Sequence, residues 1–219
     1  ATKNAIFSWM GPICLNTVLQ EDTQSLHLEL WSLSSQEELE LIDEPSETEE
    51  MALSVDSTEG VFFLPTFTSG ISFPYWDPTA RGNIFGISLK TKKEHIIRAV
   101  LNGICFRIKD FVNGIIEDTG IDVDKIKADG GVSQNKYVLQ FLSDILGMKV
   151  EHSKNPETTA LGAAFIAGLS TGFWDSREQL ESLRKVDKVY SPQIDEQRRQ
   201  ELYETWNDIV HRSLNYRPC

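Results

Sequence analysis

The residues in this chain best suited to chemistry fall in one run, Ala128-Asp129-Gly130-Gly131-Val132-Ser133-Gln134-Asn135. Two adjacent glycines permit positive φ and let a ligand approach where a Cβ would intrude. A helix opening just after them directs unpaired backbone N–H groups into that space. The Asn135 carboxamide adds a donor and an acceptor suited to a polar ring or a ribose. Together these features read as a turn facing a phosphate or a nucleotide. Asp-Gly-Gly between two elements is also plain turn chemistry, and the run by itself leaves both uses open.

The other candidate side chains read as structural. Asp129, at the end of a strand, fits an Asx-turn residue better than a base or metal ligand. Asp77 lies in Trp76-Asp77-Pro78 and reads as a turn former, and the acids from Glu38 to Glu50 read as a solvated run. His27, His95, His152 and His211 have no spacing that suggests a metal site, so they are expected on the surface or at helix caps. The three cysteines, Cys14, Cys105 and Cys219, are odd in number and far apart, and Cys105 falls on the apolar face of a predicted helix. That pattern fits a reducing, cytoplasmic setting.

Those residues need a scaffold, and the composition supplies one. With 219 residues, 40% hydrophobic and 25% charged, the chain is long enough for one sizeable core. A net charge of -12 argues against a nucleic-acid partner, since a polyanion would be repelled over most of the surface. A single nucleotide needs only a few local donors and stays allowed. No stretch approaches the length of a membrane span, and the N-terminal ATKNAIFSWMGPICL lacks a signal-peptide layout, so no membrane partner is expected.

Along the chain, Glu21 to Glu59 is acidic and Ser-rich and reads as a solvated helix and linker. A strand is expected at Val61–Leu64, stopped by Pro65, then a loop of glycine, proline and aromatics, then a strand at Asn83–Ser88. Thr91-Lys92-Lys93-Glu94 has capping-box spacing. The helix it opens carries Ile97, Val100, Leu101, Ile104, Ile108, Phe111, Val112 and Ile115 at i, i+3, i+4 intervals and is closed by Gly120. A strand at Lys125–Ala128 enters the Gly-Gly turn. The next helix, with Val138, Phe141, Leu142 and Ile145 on one face, ends at Gly147, and another strand runs from Met148 to His152. Thr158 or Thr159 then opens a helix holding Gly162 and Gly168. Each interior glycine costs roughly 1 kcal/mol relative to alanine, and close helix packing is the expected reason for accepting that cost. From Pro192 onward an amphipathic helix is expected to bury Tyr203, Trp206, Ile209 and Val210. Alternating strands and helices of these lengths give an α/β domain.

Several separate stretches carry a family resemblance. GVFFLP at 60–65, PYWDPTARGNIFGIS at 74–88, HIIRAVLNGICFRIKD at 95–110, KADGGVSQNKYVLQFLSDILG at 127–147 and ETTALGAAFIAGLSTGFW at 157–174 together resemble the C-terminal half of the FGGY carbohydrate kinases, the glycerol kinases most of all. The resemblance implies an actin-like, ribonuclease-H-type ATPase fold, the chain being the second half of a two-domain kinase with a nucleotide between the halves. It divides the chain into a divergent segment 1–38, a nucleotide-binding domain 39–195 and a C-terminal amphipathic helix 196–219. Family roles carry over to Gly131 and Asn135 as nucleotide contacts, with Gly130 shaping the turn beside them. The family also holds its nucleotide with a glutamine four residues after a glycine and just before a tryptophan. Here Gly11 is followed at that spacing by Leu15, and Trp31 is preceded by Leu30, so that glutamine is missing. At the family's Gly-Leu-Gly this chain has Gly70-Ile71-Ser72, followed by the added bulk of Phe73.

The activity implied is transfer of the γ-phosphoryl group of ATP, with Mg²⁺, to a primary hydroxyl of glycerol. In the family the proton-accepting carboxylate, the polyol-binding residues and the phosphate loops lie upstream, so no catalytic residue is assigned here and the polyol would be held by an N-terminal domain. A homo-oligomer is implied as well. The alternative is an inactive kinase-like remnant kept for nucleotide sensing or association.

Overall fold

The computed structural model describes residues 41–42, 44, 46–66, 70–120, 123–129, 131–154, 158–176, 179–180 and 186–217. Gly130 and residues 1–40, which include Gly11, Leu15 and Trp31, lie outside the described residues.

The elements alternate as the sequence suggests. Helix α1 spans Glu47–Leu53, β1 Phe62–Leu64, β2 Asn83–Phe85, α2 Lys93–Thr119, β3 Lys125–Ala128, α3 Lys136–Leu146, β4 Lys149–Ser153, α4 Thr158–Thr171, β5 Val186–Tyr190 and α5 Glu196–Ser213. Strands β1 and β2 form an antiparallel pair in which Phe63 faces Ile84. The second sheet has the order β3-β4-β5, with β3 and β4 parallel and β5 antiparallel to β4. No β5 is read from the sequence, because Val-Asp-Lys-Val-Tyr is short and mostly exposed; its pairing with β4, Tyr190 opposite Val150, makes it a strand.

Helix α2 is the axis of the molecule. Its expected apolar residues from Ile97 to Val112 are buried, and so are Ala99, Gly103, Cys105, Phe106, Arg107, Asp110 and Gly114 on its other sides, so neighbours surround most of its circumference. Gly103 is required by close approach, since a Cβ there would lie 2.4 Å from the carbonyl oxygen of Phe63 in β1. Phe106 stacks on Trp206 of α5 at a centroid distance of 5.0 Å, which places α5 in the same core as α2, α3 and the second sheet. Cys105 is fully buried, as its helical position implies, and its thiol meets the carbonyl of Val138.

Two sequence expectations about local structure change. Thr91 does not cap α2: its hydroxyl accepts from the Ser88 N–H and closes the preceding turn. The cap moves one residue on, where His95 Nδ1 accepts the Lys92 N–H at 3.1 Å; His95 thus takes the capping role expected of the histidines. In α4, Gly168 is packed, with a Cβ there falling 2.1 Å from the Trp174 ring, but Gly162 has nothing within 4 Å among the described residues. Among the described residues, close packing accounts for Gly168 and not for Gly162. Ile166 and, just after the helix, Phe173 are exposed.

Candidate functional site

Asp129 and Gly131 sit where β3 hands over to α3. Gly131 has φ -60° and ψ -47°, so it does not use the positive φ open to glycine; it opens a short 3₁₀ turn over Val132–Gln134. Its remaining advantage is the missing Cβ at an exposed position. Asn135 is extended, with φ -81° and ψ 109°, and is the N-cap of α3. Its Oδ1 accepts the Val138 N–H at 3.1 Å, and its Nδ2 donates to the buried Thr48 Oγ1 at 3.2 Å. The residue nominated as a reader of a ligand is thus also a helix cap, a role that satisfies one orphan donor of the first turn.

Thr48 and Glu49 come from α1, which the sequence reads as part of a solvated run. The structure corrects this for Glu49. Its Oε2 accepts the Lys136 N–H at 2.7 Å, and its Oε1 lies 3.9 Å from Lys136 Nζ. The acid-rich stretch hides this contact because its partner is 87 residues away. Helix α1 is itself tied down at its other end, where Arg98 Nη1 donates to the carbonyls of Ala52 and Val55 while its guanidinium lies 4.9 Å from the Tyr137 ring. Tyr137 donates to Asn102 Oδ1 at 2.6 Å, and burial pushes its phenol well above the ordinary range. A groove of about 610 Å³ runs beside α1, lined by Ser46, Glu49, Glu50, Leu53 and Ser54. Among the described residues two carboxylates and no cation line it, a charge that suits phosphate poorly.

At the end of the sheet next to the turn, His152 stands in register with Ala128, the residue before Asp129. Its Nδ1 is 3.3 Å from Asp187 Oδ2, and its buried Nε2 has no hydrogen-bond partner among the described residues. Asp77 behaves as the turn former expected. It accepts from the Thr79 N–H at 2.8 Å and hydroxyl at 2.6 Å, and from the Asn215 N–H; these donors hold its carboxyl below the ordinary range. Among the described residues, no three His, Cys, Asp or Glu side chains come together as a metal site. Nor is any described helix long and apolar enough to cross a membrane.

The family model for the FGGY family of carbohydrate kinases, C-terminal domain, matches residues 10–171. The chain belongs to this family. Curated glycerol kinases of Coxiella burnetii (strain Dugway 5J108-111) and Thermoanaerobacter pseudethanolicus are 45% and 44% identical over 80% and 82% of the chain, covering 35% and 36% of their own length. The chain therefore spans about a third of the curated relatives it matches. A solved Plasmodium falciparum glycerol kinase, determined with ADP, matches with a TM-score of 0.78 and 37% identity over 88% of this chain and 38% of that one. A xylulose kinase from Lactobacillus acidophilus, at 24% identity and a TM-score of 0.70 over 83% of this chain and 37% of that one, shares the fold. The α/β architecture read from the sequence is thus that of the FGGY kinases, and the chain corresponds to their C-terminal part.

Proposed function

We propose that this chain is the nucleotide-side part of an ATP-dependent glycerol kinase, contributing Gly131, Asn135 and Gly130 to the nucleotide site. The observation carrying this reading is the likeness to glycerol kinases in both sequence and fold, with the solved Plasmodium enzyme determined with ADP. ATP supplies the phosphoryl group, and Mg²⁺ offsets the phosphate charge when bound.

This chain's own residues fit one side of such a ligand. Exposed Gly131 gives close access to its backbone, and Asn135 keeps a second Nδ2 hydrogen beyond the one given to Thr48. Mg²⁺ would find no cluster of ligating side chains among the described residues and would ride on the phosphates or on the upstream part of the complete protein. That upstream part would also hold glycerol and the carboxylate that accepts its proton. The reading further places the complete protein in the cytoplasm as a homo-oligomer, which light scattering on that protein would check.

Isothermal titration of this chain with ATP and ADP, with and without Mg²⁺, tests the proposal alongside a glycerol phosphorylation assay. Binding without turnover is the expected result. No heat at millimolar nucleotide would overturn the reading that this part holds its own side of the ligand.

A further inference from the structure

The contacts between α1 and the start of α3 do more than join two helices. An asparagine carboxamide can present either its oxygen or its nitrogen to a ligand, and its neighbours decide which. At Asn135 that choice is fixed twice. The Val138 N–H requires an acceptor, so Oδ1 is turned onto the first turn of α3 at 3.1 Å. Thr48 Oγ1 then takes one Nδ2 hydrogen at 3.2 Å, from a position only 6% exposed. The second Nδ2 hydrogen is left to donate. Beside it, the Lys136 N–H, another donor at the start of α3, is already taken by Glu49 at 2.7 Å.

The geometry points to Thr48 as a positioning residue that orients Asn135 to donate to a lone-pair acceptor on a nucleotide base or ribose, while Glu49 closes the start of α3 to phosphate. This rests on the nucleotide reading given above. A carboxylate on the helix's first N–H groups repels a phosphate placed there, so the ligand meets this turn with its uncharged end. Neither residue stands out in sequence, because both belong to an acidic run whose partners are 87 residues away.

ADP titration of the 219-residue chain and its variants tests the assignment, with a thermal melt of each and the Asn135 side-chain amide followed by ¹⁵N NMR. Thr48→Val keeps the shape and removes the acceptor, and it is expected to weaken ADP binding about three- to tenfold. Thr48→Ser, which keeps the hydroxyl, restores affinity. Asn135→Asp keeps the cap oxygen but has no N–H, and it loses affinity at an unchanged melting temperature. In the parent chain, ADP shifts the Asn135 amide signal, a readout independent of whether any variant folds.

Wild-type affinity for Thr48→Val, together with weakened binding by Asn135→Asp, would overturn the role of Thr48 and leave the nucleotide reading standing. Wild-type affinity for both variants would overturn the roles of Asn135 and Thr48 while nucleotide binding itself stands, and no ADP binding by the parent chain would remove the nucleotide reading and this inference with it. Glu49→Gln tests the second half: inorganic pyrophosphate should bind the variant more tightly than the parent, and equal binding by both would show that Glu49 does not exclude phosphate.

Discussion

Trp206 Nε1 donates to the Asp110 carboxylate, at 3.0 Å to Oδ2 and 3.2 Å to Oδ1, across 96 residues of chain. The same carboxylate accepts from the Tyr203 hydroxyl at 2.8 Å and pairs with Arg107 at 2.8 Å. Arg107 reaches on to the Ser72 hydroxyl and the Phe73 carbonyl, and Tyr75 donates to Asn207 of α5. One buried charge pair therefore joins α2, α5 and the proline-aromatic loop. Every donor aimed at Asp110 is satisfied, which is the condition under which a buried ionic network can be tolerated.

Asp110→Ala should destabilise the chain by about 3–5 kcal/mol, because it leaves Arg107 buried without its counter-ion and removes the acceptor for Tyr203 and Trp206. Urea unfolding followed by Trp fluorescence measures this. A loss below about 1 kcal/mol would place the pair among those of little net worth.

The pH dependence follows from the same carboxyl. Burial raises it above the ordinary range, although Arg107, Tyr203 and Trp206 favour the anion. Between the ordinary carboxylate value and the raised one, the folded chain therefore keeps a proton that the unfolded chain has released, and above both the pair with Arg107 is ionic. Stability attributable to this group falls as pH rises from the ordinary carboxylate value through the raised one. Asp110→Asn should flatten that part of the stability profile, and an unchanged slope would assign it to another group.

The two glycines of α4 should respond in opposite directions. Gly162→Ala gains helix propensity, up to about 1 kcal/mol, with no atom of the described residues within 4 Å to oppose it. Gly168→Ala places a Cβ against a Trp174 ring already in edge contact with Phe165 and Phe173, and should cost on the order of 1–3 kcal/mol. Paired thermal melts would separate them.

Asn135→Ala should lower stability by about 1 kcal/mol through loss of the α3 cap, whereas Asn135→Asp should leave it nearly unchanged because an acidic oxygen can still accept from Val138. Chemical denaturation of the two variants without ligand is the check. Equal stability of Asn135→Ala and the parent chain would show that the cap hydrogen bond contributes nothing net.

Exposed apolar side chains on and after α4, Ile166 at 47% and Phe173 at 76%, form part of a long uncharged stretch and should promote self-association. Light scattering across a concentration series should show larger species for the parent chain than for Ile166→Glu combined with Phe173→Ser. Identical, monodisperse behaviour would mean that this face does not drive association.

Much of the architecture is local and therefore legible in the sequence. The 3.6-residue spacing from Ile97 to Val112, the glycines at 120 and 147 that adopt positive φ as helix ends, and the position of the Asp-Gly-Gly turn between β3 and α3 all depend on neighbours within a few residues. The family motifs are local too. What the sequence could not determine depends on partners brought together by folding. Val186–Tyr190 becomes a strand only because β4 lies beside it, and Thr91 yields its cap to His95 because a nearer turn claims its hydroxyl. The burial of Arg107 and Asp110 depends on α5 and the aromatic loop, whose contacting residues lie up to 96 positions away. Thr48 and Glu49 look like solvated residues until α1 meets α3. Chain spacing sets which side chains share a face, whereas the donor or acceptor that each one meets is set by tertiary contacts far along the chain.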